Sequence, residues 1–232
     1  WIVDSNIPNP GNVDSFDTPN SLTEGTYEYS VTVTDQNAPY CESTTVIGTV
    51  TVNPLPTATI ESSDPDGEVC MDENVTITFT GVIGTAPFTF EYLDELGATQ
   101  TIVSSGTDIN TAEVLAATST PGTIEYTLVS VTDASNTTCS QAQDETVTVI
   151  VRDIEVDAGP DTIEACAGEE ITLSASGTAT SYVWDNGVVD GVPFTPVLST
   201  TYTVVGTDSF GCESTDQIEV IIIPAVTGNI KI

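Results

Sequence analysis

Histidine is absent from this 232-residue sequence, and lysine and arginine together number 2 against 35 aspartates and glutamates, so the formal net charge is −33. Each shortage excludes a class of function. Without an imidazole the chain cannot assemble Ser-His-Asp or Cys-His nucleophile pairs, or the common zinc sites, from its own residues. Arg152 and Lys231 are the only cations, and two cations cannot release enough counterions to hold DNA or RNA; an anionic bilayer surface repels the chain for the same reason. Long apolar runs are also missing. The longest, around 220–223, falls far short of the roughly 20 residues that cross a bilayer, so membrane insertion is not expected. The opening Trp1-Ile-Val-Asp has no basic n-region, which places any export signal outside this stretch.

What is present favours strands. Hydrophobic residues make up 39% of the chain, with Val, Ile and Thr abundant, and β-branched side chains suit a pleated, half-buried surface. The periodicity is two, as in Thr76-Ile77-Thr78-Phe79-Thr80, where Ile and Phe face a core and the threonines face water. The run from Phe88 to Tyr92, the loop from Asp94 to Gly97 and the run from Ala98 to Val103 read as a hairpin. Trp184-Asp185-Asn186-Gly187 reads as a core Trp leading into an Asn-Gly type I′ turn. Residues 111–117 fit either a short helix or, given their β-branched setting, a strand.

Three segments repeat a strand, a Thr-Asp pair, a short turn and a Cys: 27–41 (YEYSVTVTDQNAPYC), 125–139 (EYTLVSVTDASNTTC) and 201–212 (TYTVVGTDSFGC). Each is followed by an alternating strand and a junction. The Tyr-to-Asp spacing is one longer in the middle copy (Tyr126 to Asp133) than in the outer ones (Tyr29 to Asp35, Tyr202 to Asp208), which predicts a β-bulge there. Upstream of two copies lies a second shared pattern, Cys70-Met-Asp-Glu and Cys166-Ala-Gly-Glu, each opening a strand. Trp1 aligns with Trp184, so residue 1 is expected midway through a domain of a longer chain. The boundaries that follow are 1–53, the C-terminal part of a β-sandwich; 54–151, a complete one; 152–223, a smaller complete one; and 224–232, a linker or the start of a further repeat. Junctions such as Asn53-Pro-Leu-Pro are short and stiff, so the expected arrangement is a rod. The fold class is therefore all-β, with tandem antiparallel sandwiches.

Five cysteines fall into this scheme. The repeat alignment pairs Cys70 with Cys139 and Cys166 with Cys212, each bond stapling loops at one pole of a sandwich, and leaves Cys41 to a partner outside the sequence. Closing such a loop contributes about 4 kcal/mol in the chain-entropy model. Disulfides imply an oxidising, extracellular location; the alternative is a set of reduced, buried thiols or a metal site, against which stands the lack of any Cys-x-x-Cys.

Two acidic clusters are candidates for Ca²⁺, whose ligands are oxygens. Asp64, Asp66 and Glu68 surround Gly67 but miss the EF-hand pattern, and a solvated turn is the simpler reading. Asp153, Glu155 and Asp157 alternate along one strand face at a domain junction, where a cation would stiffen the joint and plain solvation is the rival. Carboxylate pairs such as Glu91 with Asp94 or Glu95 meet the minimum for glycoside hydrolysis, yet so many acids produce such pairs by chance, and no catalytic set or cofactor is expected. Phe88, Phe90, Tyr92, Tyr182, Trp184 and Phe194 would make a sugar-stacking platform if exposed; their alternation points to core packing.

The phrases Gly84-Thr-Ala-Pro-Phe-Thr-Phe-Glu-Tyr, Val50-Thr-Val-Asn-Pro-Leu-Pro-Thr-Ala-Thr-Ile, Ala158-Gly-Pro-Asp-Thr-Ile and Tyr182-Val-Trp-Asp-Asn-Gly resemble the PKD-like and Ig-like repeats of very large surface proteins from Bacteroidetes. The resemblance covers essentially the whole chain and is strongest to the giant adhesins of gliding cells, exported by the type IX system. It implies a non-enzymatic, extracellular segment of a cell-surface filament. Such a segment contacts neighbouring repeats and carries an adhesive tip, whose surface or polysaccharide ligand binds elsewhere. The alternative is a carbohydrate- or receptor-binding module of a secreted protein.

Overall fold

The computed structural model describes residues 2–3, 22–33, 42–105 and 110–224. Cys41, Lys231 and most of 224–232 lie outside the described residues. Among those described, eighteen strands and no helix are present, and the chain is built of mainly antiparallel sheets in tandem Ig-like sandwiches, as the alternation predicts. Residues 111–117 resolve as the strand Thr111–Leu115, because a β-branched, Thr-rich stretch gains more from pairing than from an isolated helical turn.

The chain divides into two compact units that interleave in sequence. The first comprises Trp1–Glu61, Thr78–Glu113 and Tyr126–Thr146. Here Gly25–Val31 pairs antiparallel with Val46–Val52, burying Tyr27 and Tyr29 against Leu22, Val50 and Val52. Thr89–Leu93 lies between Thr99–Val103 and Gly122–Thr132. Its inward residue Phe90 stacks with Phe79 and Tyr92 packs tilted against it, at ring centroids of 5.7 and 4.8 Å, and Phe88 packs beside Phe90. Tyr126, Leu128 and Val131 are buried with them. The register shifts between Leu128 and Ser130: one extra residue, Val129, moves the buried phase from even to odd positions, which is the predicted bulge.

The second unit comprises Ser62–Ile77, Val114–Glu125 and Val147–Ile232. Thr162–Cys166, Glu213–Ile223, Thr200–Thr207 and Ser181–Trp184 form one sheet in that order. Its core is Ala158, Leu173, Trp184, Tyr202, Val204, Ile218 and Val220. Trp184 is buried, with its indole N–H on Asp190 Oδ1 at 2.9 Å, and Asn186 and Gly187 both have positive φ, as a type I′ turn requires. Gly177, at φ 135°, leaves no room for a Cβ, which would lie 2.0 Å from the carbonyl oxygen of Glu155.

Two parallel pairings repeat within this unit. Glu68–Cys70 runs beside Thr146–Arg152, with Cys70 opposite Arg152, and Thr162–Cys166 runs beside Glu213–Ile223, with Cys166 opposite Ile223. This geometry corrects the expected disulfides. The bond present joins Cys70 to Cys212, with Cα atoms 5.4 Å apart, while Cys139 and Cys166 are thiols. Cys166 sits at the far end of Glu213–Ile223 and Cys212 just before its start. At a rise of about 3.3 Å per residue, ten steps of strand separate them by roughly 33 Å, several times the span a disulfide tolerates. The two cysteines of one repeat therefore lie at opposite ends of its last strand rather than at one pole. With Cys70 taken by Cys212, Cys139 keeps to its own turn, its sulfur 3.2 Å from Thr137 Oγ1.

Candidate functional site

The densest chemistry gathers around the Cys70–Cys212 bond. Arg152 stands opposite Cys70 in the parallel register, so the strand pairing that places the sulfur also places the guanidinium. Its Nε donates to Glu68 Oε2 at 2.8 Å and its Nη2 to the same oxygen. Phe210, in the turn before Cys212, lies against the guanidinium at 3.6 Å from ring centroid to Cζ. Arg152 is the only cation among the described residues. It neutralises one carboxylate and presents its flat face to an aromatic ring, the arrangement that suits arginine and not lysine.

Asp64, Asp66, Glu68, Glu73 and Phe210 line a cleft of about 400 Å³ with Cys70 at its edge. The structure thus brings Asp64, Asp66 and Glu68 to one rim, but Asp64, Glu68 and Glu73 each have a local use. Asp64 Oδ1 accepts the N–H groups of Asp66 at 3.0 Å and Gly67 at 2.8 Å, closing the turn that the sequence suggests. Glu68 holds Arg152, and Glu73 accepts the N–H of Cys70 at 3.1 Å. Asp153, Glu155 and Asp157 are exposed in alternation with Ile154, Val156 and Ala158, though of the three only Asp157 lies in a strand, Val156–Asp157. Asp157 Oδ1 caps Gly159 N–H at 2.8 Å. Among the described residues no three acidic or cysteine side chains converge as a metal site.

The turns that carry the second cysteine are held by one aspartate each. Asp208 Oδ1 accepts the N–H of Phe210 at 2.8 Å and of Cys212 at 2.9 Å. Asp133 Oδ1 accepts those of Ser135 at 3.3 Å and Cys139 at 2.9 Å, together with the Ser135 hydroxyl at 2.7 Å, and Oδ2 accepts Thr85 N–H at 3.0 Å. Asp133 is 4% exposed. Burial works to raise its pKa, but the bonds from Ser135, Thr85 and Cys139 together outweigh it and hold the carboxyl below the ordinary aspartate value.

The remaining candidates separate. Asp94 caps its hairpin, accepting Ala98 N–H at 2.8 Å and Gln100 Nε2 at 2.8 Å; the Gln100 bond is the main reason its pKa is lowered. Glu95 accepts the Tyr126 hydroxyl and Glu91 the Ser130 hydroxyl, so the carboxylate pairs serve structure separately. Phe88, Phe90, Tyr92 and Trp184 are buried, while Tyr182 and Phe194 are half-buried. A second cleft of about 600 Å³ runs along 186–202, with Val189, Val192, Val197 and Leu198 exposed around it. Sequence reasoning missed the Arg152–Phe210 contact; its signals were a rare cation at a junction and an aromatic in a Gly-bearing turn.

No family model matches the chain, and no curated protein matches it. Among solved structures it is similar to part of a 1.5-MDa bacterial ice-binding adhesin, at 17% identity over 87% of this chain and 76% of that one, TM-score 0.43. It is also similar to a Ca²⁺-stabilised adhesin from an Antarctic bacterium, at 14% identity over 84% of this chain and 56% of that one, TM-score 0.40. A third is the fibronectin(III)-like modules of Clostridium thermocellum CbhA, at 13% identity over 75% and 98%, TM-score 0.31. The chain spans a little over half the length of the second structure. The fold defines the class: an all-β chain of tandem Ig-like sandwiches.

Proposed function

We propose that the chain is a structural segment of an extracellular adhesin filament, of the Bacteroidetes type IX-exported kind that its repeats resemble, which extends an adhesive tip and bears tension. It is not an enzyme on this reading: its carboxylates close turns. The observation that supports it is the joint at Arg152. The segment leaving Val151 passes through Arg152 and enters Val156–Asp157 within a few residues. At that point the Cys70–Cys212 bond, the Glu68 pair and the Phe210 ring cross-brace it. On this reading the bond is a covalent brace between successive repeats and resists a pull along the chain.

Force spectroscopy on the 232-residue chain tests this. Cys70 and Cys212 are 142 positions apart, and at about 3.3–3.6 Å per extended residue the bond withholds up to roughly 500 Å of extension. Pulling under oxidising conditions should yield a contour length shorter by about that amount than after reduction. Equal lengths in the two conditions would remove the load-bearing role.

The second reading, a carbohydrate- or receptor-binding module, is favoured by the apolar rim of Val189, Val192, Val197 and Leu198. Glycan arrays and pull-downs with the intact chain separate the two: silence supports the filament segment, and saturable binding lost on Val197→Asp supports the module.

A further inference from the structure

Beyond the load-bearing reading, the two free thiols among the described residues, Cys139 and Cys166, stand in frames that match the two halves of the bonded pair. Cys70 and Cys166 share one frame. Each ends a strand paired in parallel with a last strand, opposite Arg152 and Ile223 respectively. In each, the next residue donates its N–H to that opposite carbonyl, Met71 to Arg152 at 2.8 Å and Ala167 to Ile223 at 3.0 Å. In each, the residue two further on has positive φ, Asp72 at 63° and Gly168 at 85°. Each Cys N–H is capped by the glutamate three residues on, Glu73 at 3.1 Å and Glu169 at 2.7 Å.

Cys139 and Cys212 share the other frame. Their N–H groups go to Asp133 Oδ1 and Asp208 Oδ1, both at 2.9 Å, and their carbonyls accept the N–H of those same aspartates, both at 3.0 Å. The residue before each has positive φ, Thr138 at 47° and Gly211 at 90°. In the bonded pair, a strand-end cysteine, Cys70, meets a turn cysteine, Cys212. What is left over among the described residues is one of each kind: Cys166, an exposed strand-end thiol, and Cys139, a half-buried turn thiol.

We infer that Cys166 and Cys139 are half-latches, each completed by the opposite half from an adjoining repeat of this kind, so that successive repeats are bonded strand end to turn in series. The partner of Cys166 is a turn cysteine held by an aspartate, as in the Asp133 and Asp208 turns. That of Cys139 is a strand-end cysteine capped by a glutamate three residues on. The bond forms by exchange with a disulfide oxidant of the glutathione or protein-dithiol class. One thiolate attacks the oxidant and releases one oxidant thiol. The second thiolate then displaces the remaining oxidant sulfur. Two protein S–H bonds and one oxidant S–S bond are exchanged for one protein S–S bond and two oxidant thiols.

The test is disulfide mapping of the polypeptide as its host displays it, alkylated before lysis, digested without reduction and analysed by mass spectrometry. The expected result is loss of alkylation at both Cys139 and Cys166. The Cys166 peptide should be joined to an Asp-anchored turn cysteine and the Cys139 peptide to a Cys-x-x-Glu strand end. Partner peptides of other sequence from the same reading frame place the adjoining repeat in the same polypeptide, whereas a Cys166–Cys139 peptide from a covalent dimer on non-reducing gels places it in a second copy; both support the latch, and a Cys166–Cys139 peptide from the monomer band overturns it. Recovery of both residues alkylated while Cys70–Cys212 is intact overturns it, as does linkage to a cysteine in neither frame.

Discussion

The guanidinium of Arg152 lies 3.6 Å from the ring centroid of Phe210 while its Nε holds Glu68 at 2.8 Å, so one side chain ties a strand end to the turn that supplies Cys212. Both ion-pair partners are about a third exposed or less, which screens the pair, and Phe210 remains half-exposed. Arg152→Ala should cost about 1–2 kcal/mol in urea unfolding, and a double-mutant cycle with Phe210→Ala should return a coupling of about 0.5–1 kcal/mol. Arg152→Lys should recover only part, because an ammonium cannot both fork onto Glu68 and lie flat on the ring.

Removing the bond should matter more than removing the ion pair. In the chain-entropy model a loop of this length contributes about 5 kcal/mol, so Cys70→Ser should lower the thermal midpoint well beyond the shift seen with Arg152→Ala. Calorimetry with and without reductant checks it: the reductant should lower the midpoint of the parent chain and leave the Cys70→Ser variant unmoved.

Asp133 gives a pH dependence of defined sign. Its carboxyl is held below the ordinary value in the folded chain, because the bonds from Ser135, Thr85 and Cys139 prevail over the effect of burial. A depressed folded pKa contributes stability that is present above the unfolded value, near ~4, and lost as the pH falls through the folded one. Asp133→Asn should cost about 1–3 kcal/mol at neutral pH and flatten the acid limb of the stability profile, measured by urea unfolding between about pH 6 and pH 3.

Gly81 faces the ring of buried Phe88, and an added Cβ would stand 2.3 Å from its Cδ2. Phe88 packs against Phe90 and cannot retreat, so Gly81→Ala should destabilise by about 1–3 kcal/mol. Gly48, also in a strand, meets nothing within 4 Å; Gly48→Ala should be neutral or stabilising by a few tenths of a kcal/mol.

Alternation carried most of the fold, because a period of two is written by each strand on its own. Ile77 and Phe79 are fully buried between half-exposed threonines, and a single surplus residue between Tyr126 and Asp133 was enough to predict a bulge in that strand, which the register places at Val129. Disulfide pairing was not legible in the same way. Repeat alignment identifies equivalent cysteines, but which end of the sandwich each occupies depends on the parallel pairing of Thr162–Cys166 with Glu213–Ile223. That pairing joins residues 57 positions apart, Thr162 with Glu219 and Cys166 with Ile223, and leaves no mark on local periodicity. The Arg152–Phe210 contact is hidden for the same reason: it follows from where Cys212 is anchored. The type I′ turn at Asn186-Gly187 was readable because its backbone demands those residue types.

The account rests on which sulfurs are joined, and non-reducing peptide mapping of the 232-residue chain, alkylated and cleaved at acidic residues, reads this directly. The predicted digest contains a Cys70–Cys212 peptide, with Cys166 alkylated. A Cys166–Cys212 or Cys70–Cys139 peptide would contradict it.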